Sequence, residues 1–133
     1  MSTRKTIVRI LIALVGLFLC FVGVLHDVVN IRSFHRAIAR GEITERIGMQ
    51  AVPNVAFAGA ALFVLGVILL VAAHNLRAQN RGVWQISIVI GLFLVITGVA
   101  GYLWLPKVSV LLFSALGAIV SILLLVWRKD FRS

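Results

Sequence analysis

VAFAGAALFVLGVILLVAA, residues 55–73, runs for nineteen residues without one polar side chain. At 1.5 Å per residue such a helix is about 28 Å long, close to the roughly 30 Å hydrocarbon core of a bilayer. A helix that is apolar all round has no face to offer water, so the stretch predicts a membrane span. Three further apolar runs, about 7–25, 83–105 and 108–127, have the same character. Together the four account for most of the 133 residues, and the rest of the chain is too short to expect an attached soluble domain. The apolar fraction of 62% and mean hydropathy of +1.11 lie well above the roughly 45–50% apolar content of soluble domains. The expected fold class is an all-α membrane protein, a four-transmembrane-helix bundle occupying 1–133 as a single domain.

The longest polar interruption lies between the first two spans, residues 26–54. It holds three of the four acidic residues (Asp27, Glu42, Glu45), two of the three histidines (His26, His35) and four arginines (Arg32, Arg36, Arg40, Arg46). Ile31, Phe34 and Ile38 share one helical face, and Arg32, Arg36 and Arg40 recur on another. This spacing predicts a short amphipathic helix in the first loop, lying among lipid headgroups and ending at Gly41. Glu42, Glu45 and Arg46 then suggest a polar turn or a second short helix. Pro53 is placed in the first turn of the second span, where its missing N–H is tolerated.

The net charge of +9 does not indicate a nucleic-acid surface. The basic residues sit at the ends of apolar runs rather than along one face, the distribution that meets anionic phospholipid headgroups. Arg4, Lys5 and Arg9 precede the first run as in a signal peptide. No small-residue cleavage pattern follows it, and Leu19 is too large to precede a lipidated Cys20, so an uncleaved first span is expected. The amino terminus, the polar turn 74–82 and the carboxyl tail carry eight Lys and Arg, against five on the other side. The positive-inside rule then puts both termini in the cytoplasm and the protein in the plasma (inner) membrane as a multi-pass chain. Trp84 and Trp127 at one boundary, and Tyr102 and Trp104 at the other, suit interfacial belts.

Small residues recur seven apart in each span: Gly16 and Gly23, Gly59 and Gly66, Gly91 and Gly98, Ser114 and Ser121. Cys20 extends the first stripe and Gly117 the last. Lipid provides no hydrophobic drive for helix pairing, so close approach at small side chains is the expected packing device. Gly16-Leu17-Phe18-Leu19 and Gly23-Val24 also recur 75 residues later as Gly91-Leu92-Phe93-Leu94 and Gly98-Val99. Leu65-Gly66 and Ile68 recur 51 residues later as Leu116-Gly117 and Ile119. Two tandem helical hairpins would follow, the first lengthened at its loop by the difference between the offsets.

The spans offer little for catalysis or carriage. Proton-coupled carriers place ionisable groups at mid-depth, and the middles of these spans have none. Thr97, Ser114 and Ser121 are expected to bond back to their own helices. His26 and His74 fall at opposite ends of their spans, which separates them too far to share a haem. One cysteine, Cys20, excludes an internal disulfide and CxxC chemistry. The candidate ligand-binding set is therefore the outer cluster, His26, Asp27, Asn30, His35, Arg36, Glu42, Glu45 and Asn54. Its residue types suit a divalent metal, a lipid headgroup or acid–base work, though the spacing matches no ligand motif and no metal or cofactor is assigned. The competing reading is that Asp27 pairs with Arg36 or Arg46 and simply docks the loop.

Gly23-Val24-Leu25-His26 closing the first span, then Arg36-Ala37-Ile38-Ala39-Arg40-Gly41-Glu42-Ile43, a second span around Phe57 and a proline between the last two spans complete the pattern. It resembles small uncharacterised bacterial four-helix membrane proteins. That resemblance implies source and topology, with no activity to carry over. The expected role is an interaction or accessory membrane protein, working as a homodimer or within a larger membrane complex. The alternatives are a small-ligand, lipid or metal binding and transport module using the outer cluster, and a membrane enzyme acting on a lipid or quinone.

Overall fold

Long apolar runs become long helices, and capping residues set the end of the first helix and the start of the second. The computed structural model describes residues 3–76, 81–104, 106–126 and 128. Its helices are α1 (Thr3–Ala39), α2 (Glu45–Asn75), α3 (Arg81–Trp104) and α4 (Val108–Val126). Each is long and apolar enough to cross a membrane. Parts of the expected boundaries, at Leu105 and Trp127, lie outside the described residues. So do Arg77, Gln79 and Asn80 of the expected polar turn, and Lys129, Asp130 and Arg132 of the tail.

The first loop departs from expectation. There is no separate amphipathic helix, because α1 continues unbroken for 37 residues to Ala39. It ends where Gly41 takes the left-handed conformation, φ 69°. Glu42 N–H donates to Ala37 O at 3.0 Å and Gly41 N–H to Ile38 O at 2.9 Å, the paired bonds of a Schellman cap. After five residues α2 begins at Glu45, capped by Thr44, whose Oγ1 accepts from Ile47 N–H at 3.4 Å. Pro53 therefore lies inside α2 rather than in its first turn. The segment 26–54 is thus two helix extensions and a tight turn. The physical reason is at Gly48, where a Cβ would run into the Ile38 side chain. Ile38, on the apolar face assigned to headgroups, instead packs on the opposing helix.

The chain packs as two units, Met1–Val15 with Ile68–Ser133, and Gly16–Val67. The second unit is the antiparallel pairing of α1 and α2 on either side of the turn. A Cβ on Gly66 would stand 2.5 Å from Gly16 O and 2.6 Å from Cys20 Sγ. One on Gly23 would stand 2.6 Å from Gly59 O and 2.8 Å from Phe63 N. Backbones this close admit only glycine. Cys20 Sγ donates weakly to Phe63 O at 3.5 Å.

In the first unit α3 and α4 pack antiparallel by the same device. Gly117 faces Gly91 O, and a Cβ on Gly98 would stand 2.6 Å from Ser114 N. Ser114 does not bond within its own helix as expected; its Oγ donates across to Val95 O at 3.1 Å. Thr97 does bond back, to Phe93 O at 2.8 Å. Ser121 Oγ is buried without a partner, directly over Gly91. Trp84 Nε1 donates to Leu124 O at 3.0 Å, and Arg9 Nε donates to Ala73 O at 2.8 Å. Ile12, Leu69, Leu76, Leu94, Val120 and Leu124 are fully buried in this unit.

The contacts obey one register. Arg9 and Trp84 are 75 apart, and their acceptors Ala73 and Leu124 are 51 apart. Gly16 with Gly66 maps by the same offsets onto Gly91 with Gly117. Cys20 with Phe63 maps onto Val95 with Ser114, the small polar donor having changed sides. Gly23 against Phe63 maps onto Gly98 against Ser114.

Candidate functional site

The candidate cluster is built where α1 leaves its apolar run. His26 Nδ1 lies 3.3 Å from Asp27 Oδ1, an ion pair when the imidazole is protonated. Asn30, one turn on, donates from Nδ2 to His26 O at 2.7 Å. The Asp27 carboxylate rests on the bare backbone of Gly59 in α2, where a Cβ would overlap it. The Asp27 side chain is 25% exposed and that of His26 36%, so water reaches both. A half-solvated pair of this kind is worth little for stability and leaves the imidazole accessible.

The other five candidates stand elsewhere. His35 is exposed, and Arg36 donates from Nε to Arg32 O on its own helix at 3.4 Å. Glu42 is held in the turn by Arg40 Nε at 2.9 Å. Glu45 sits exposed in the first turn of α2, where a carboxylate suits the positive end of the helix dipole. Asn54 Nδ2 donates to Gln50 O at 3.5 Å. The arrangement therefore brings together His26, Asp27 and Asn30, and not the full set. Asp27 is met by His26 instead of Arg36 or Arg46, because the extended helices carry both arginines past it to exposed positions. Among the described residues no group of three or more His, Cys, Asp or Glu converges to hold a metal ion.

Two features escaped the sequence reading. Gly48, outside the seven-residue stripe, seats Ile38. At the other end of the helices Thr6, Arg9 and His74 border an open cleft of about 440 Å³. Its only signal in the sequence was a single arginine two residues inside the first apolar run. All ten residues of the small-residue stripe, Gly16, Cys20, Gly23, Gly59, Gly66, Gly91, Gly98, Ser114, Gly117 and Ser121, stand at close approaches between helices. Comparison with family models, with curated proteins and with solved structures yields no match to this chain.

Proposed function

We propose that this is a multi-pass membrane protein made of two tandem helical hairpins, whose work is done through helix contacts with a second copy or with another membrane subunit. The shared 75/51 register supports the duplication, since two pairs of seam bonds, Arg9–Ala73 with Trp84–Leu124 and Cys20–Phe63 with Val95–Ser114, correspond under offsets read from other residues. The membrane setting is supported by exposure. In the most apolar windows of the four helices only 22–39% of residues are buried. Leu103 is 80% exposed, Trp104 92% and Val108 77%. An apolar surface of that extent needs lipid or protein against it, as water would drive aggregation. The eight-to-five basic bias supports cytoplasmic termini, with the α1–α2 turn outside.

The observation that carries the contact reading is what fills the seams. They hold backbone carbonyls, glycines and small side chains, a packing that rigidifies a scaffold and leaves its outer faces for partners. Extraction in a mild detergent, with mass measured by light scattering and companions identified by cross-linking, tests it. The expected species contains two chains, or one chain with a specific membrane subunit. A lone monomer whose melting temperature rises with a small ligand, and loses that response in Asp27→Asn and His26→Ala, would instead establish the outer cluster as a binding site.

A further inference from the structure

We propose that the end of the first hairpin, where α1 and α2 continue past their apolar runs, is a docking surface for a partner protein that presents carboxylates, with Arg32 and Arg36 as its contacts. The inference rests on the membrane reading above and goes beyond the helix contacts proposed there. Leu25 closes the apolar run of α1, and at 1.5 Å per residue Arg32 stands about 10 Å beyond it and Arg36 about 17 Å. A headgroup layer is only about 5–8 Å deep on each side of the hydrocarbon. Even a helix tilted by about 40° leaves Arg36 about 13 Å out, above the phosphates. Ile38 and Ile43 close on Gly48 there, and Gly41 and Thr44 cap the two helices, so the projecting part is a packed hairpin in its own right.

The charge on this end is not balanced within the chain. Between residues 30 and 56 stand four arginines and two glutamates. Glu42 is taken by Arg40 at 2.9 Å, and Asp27, just below, lies against His26 at 3.3 Å. Among the described residues no carboxylate pairs with Arg32 or Arg36. Arg36 gives its Nε to Arg32 O at 3.4 Å and leaves its two terminal nitrogens to water. Both side chains are exposed, on the side of α1 away from Ile31, Phe34 and Ile38. Like charges four residues apart work against a helix, so an acidic partner relieves a repulsion as well as forming new bonds. A guanidinium meets a carboxylate through two parallel N–H···O bonds, a pairing that arginine provides and lysine does not. A second copy is a poor occupant, since it brings the same arginines, and its own Asp27 and Glu42 are engaged. Acidic side chains along one edge of an extended segment recur about every 6.6 Å, close to the rise of about 6 Å from Arg32 to Arg36.

The probe is a fluorescein-labelled peptide of ten glutamates, added to the full chain in phosphatidylcholine nanodiscs and read by anisotropy, with a ten-glutamine peptide as the uncharged control. Arg32→Gln with Arg36→Gln should weaken its binding roughly tenfold, the scale of two exposed ion pairs, with the unfolding midpoint unchanged. Arg40→Gln with Glu42→Gln removes a charge pair from the same end and leaves its net charge as it was; binding should hold. Arg36→Lys keeps the charge and adds an amine, so carbodiimide should join the peptide to position 36 in preference to Lys5, Lys107 and Lys129. Full affinity in the chain lacking both arginines, equal binding of the glutamine peptide, or coupling at the three native lysines and not at position 36 overturns the proposal. So does a preference for phosphatidylglycerol, read by native mass spectrometry, that disappears with the two arginines while peptide binding stays, since the pair would then belong to headgroups. A chain that does not enter phosphatidylcholine nanodiscs would instead overturn the membrane reading itself.

Discussion

Gly23→Ala places one methyl group where two backbones meet. Its Cβ would lie 2.6 Å from Gly59 O, 2.8 Å from Phe63 N and 3.3 Å from Phe63 Cα, all of them backbone atoms that cannot rotate aside. Ordinary contact begins at 3.4 Å, so the helices must part by about 0.8 Å. A gap of that size forfeits roughly a quarter to a half of each neighbouring contact, itself worth about 0.1–0.2 kcal/mol. Overpacking of this kind costs about 1–3 kcal/mol, while alanine returns up to about 1 kcal/mol of helix propensity. The net expectation is a loss of about 1–2 kcal/mol. Gly101→Ala is the control, because among the described residues its Cβ meets a single side-chain methyl, Val110 Cγ1, at 2.9 Å, and no backbone atom. That variant should lose less than Gly23→Ala, as a side chain and not two backbones has to give. Sodium dodecyl sulfate titration in mixed micelles, followed by far-UV circular dichroism, gives both values. A Gly23→Ala protein as stable as wild type beside a destabilised Gly101→Ala protein would refute the reasoning, since backbone approach would then not set the seam.

Ser114→Ala should lose about 0.6 kcal/mol with its bond to Val95 O, the usual worth of such a bond between membrane helices. Ser121→Ala should gain about 1 kcal/mol, as it removes a buried oxygen with no partner; the same titration orders the two. Gly59→Ala should destabilise by driving a methyl into the Asp27 carboxylate, and adding Asp27→Ala should recover about 1 kcal/mol of coupling in a double-mutant cycle. Replacing residues 30–56 by the three-residue link Leu-Pro-Lys, as joins α3 to α4, should cost about 1–3 kcal/mol, the burial of Ile38 on Gly48 that it removes, because loop-closure entropy itself changes slowly with length. A collapse of the unfolding midpoint would show that the extension, rather than the glycine seam, holds the first hairpin together.

How much of this was legible depends on what each signal encodes. Four long apolar helices follow from run length, and the Gly41 stop follows from the one residue type that takes positive φ without strain. The seam glycines were legible because close approach of two helix backbones needs small residues, and these recur seven apart along each apolar run. The continuation of α1 past His26 was not. Polarity marks where water begins, and the helix does not stop there; only Thr44 and Glu45 signalled the true start of α2, and Pro53 drew the boundary to itself. The candidate cluster was drawn too wide for the same reason. Treating 26–54 as a flexible loop let His35, Glu42 and Glu45 fold back toward Asp27, whereas two rigid helices carry them away from it.

Under the proposed duplication, comparing the two hairpins separates what the fold requires from what one of them has added. Cys20 on α1 and Ser114 on α4 occupy opposite sides of equivalent contacts, so the seam requires a small side chain and a short backbone separation, not a particular donor. Arg9 and Trp84 donate to equivalent carbonyls from different side chains, so that bond needs an N–H donor and not a particular residue. Features shared by the two hairpins are structural in origin. The first hairpin carries the His26–Asp27 pair on Gly59 and the helical extension with its exposed arginines. In the second hairpin the positions of Asp27 and Gly59 are held by Tyr102 and Val110. A carboxylate exchanged for a phenol, and a bare backbone for a valine, change what the helices offer their surroundings. Selective partners should therefore be sought at that end of the first hairpin, with the second hairpin as the internal control for each substitution.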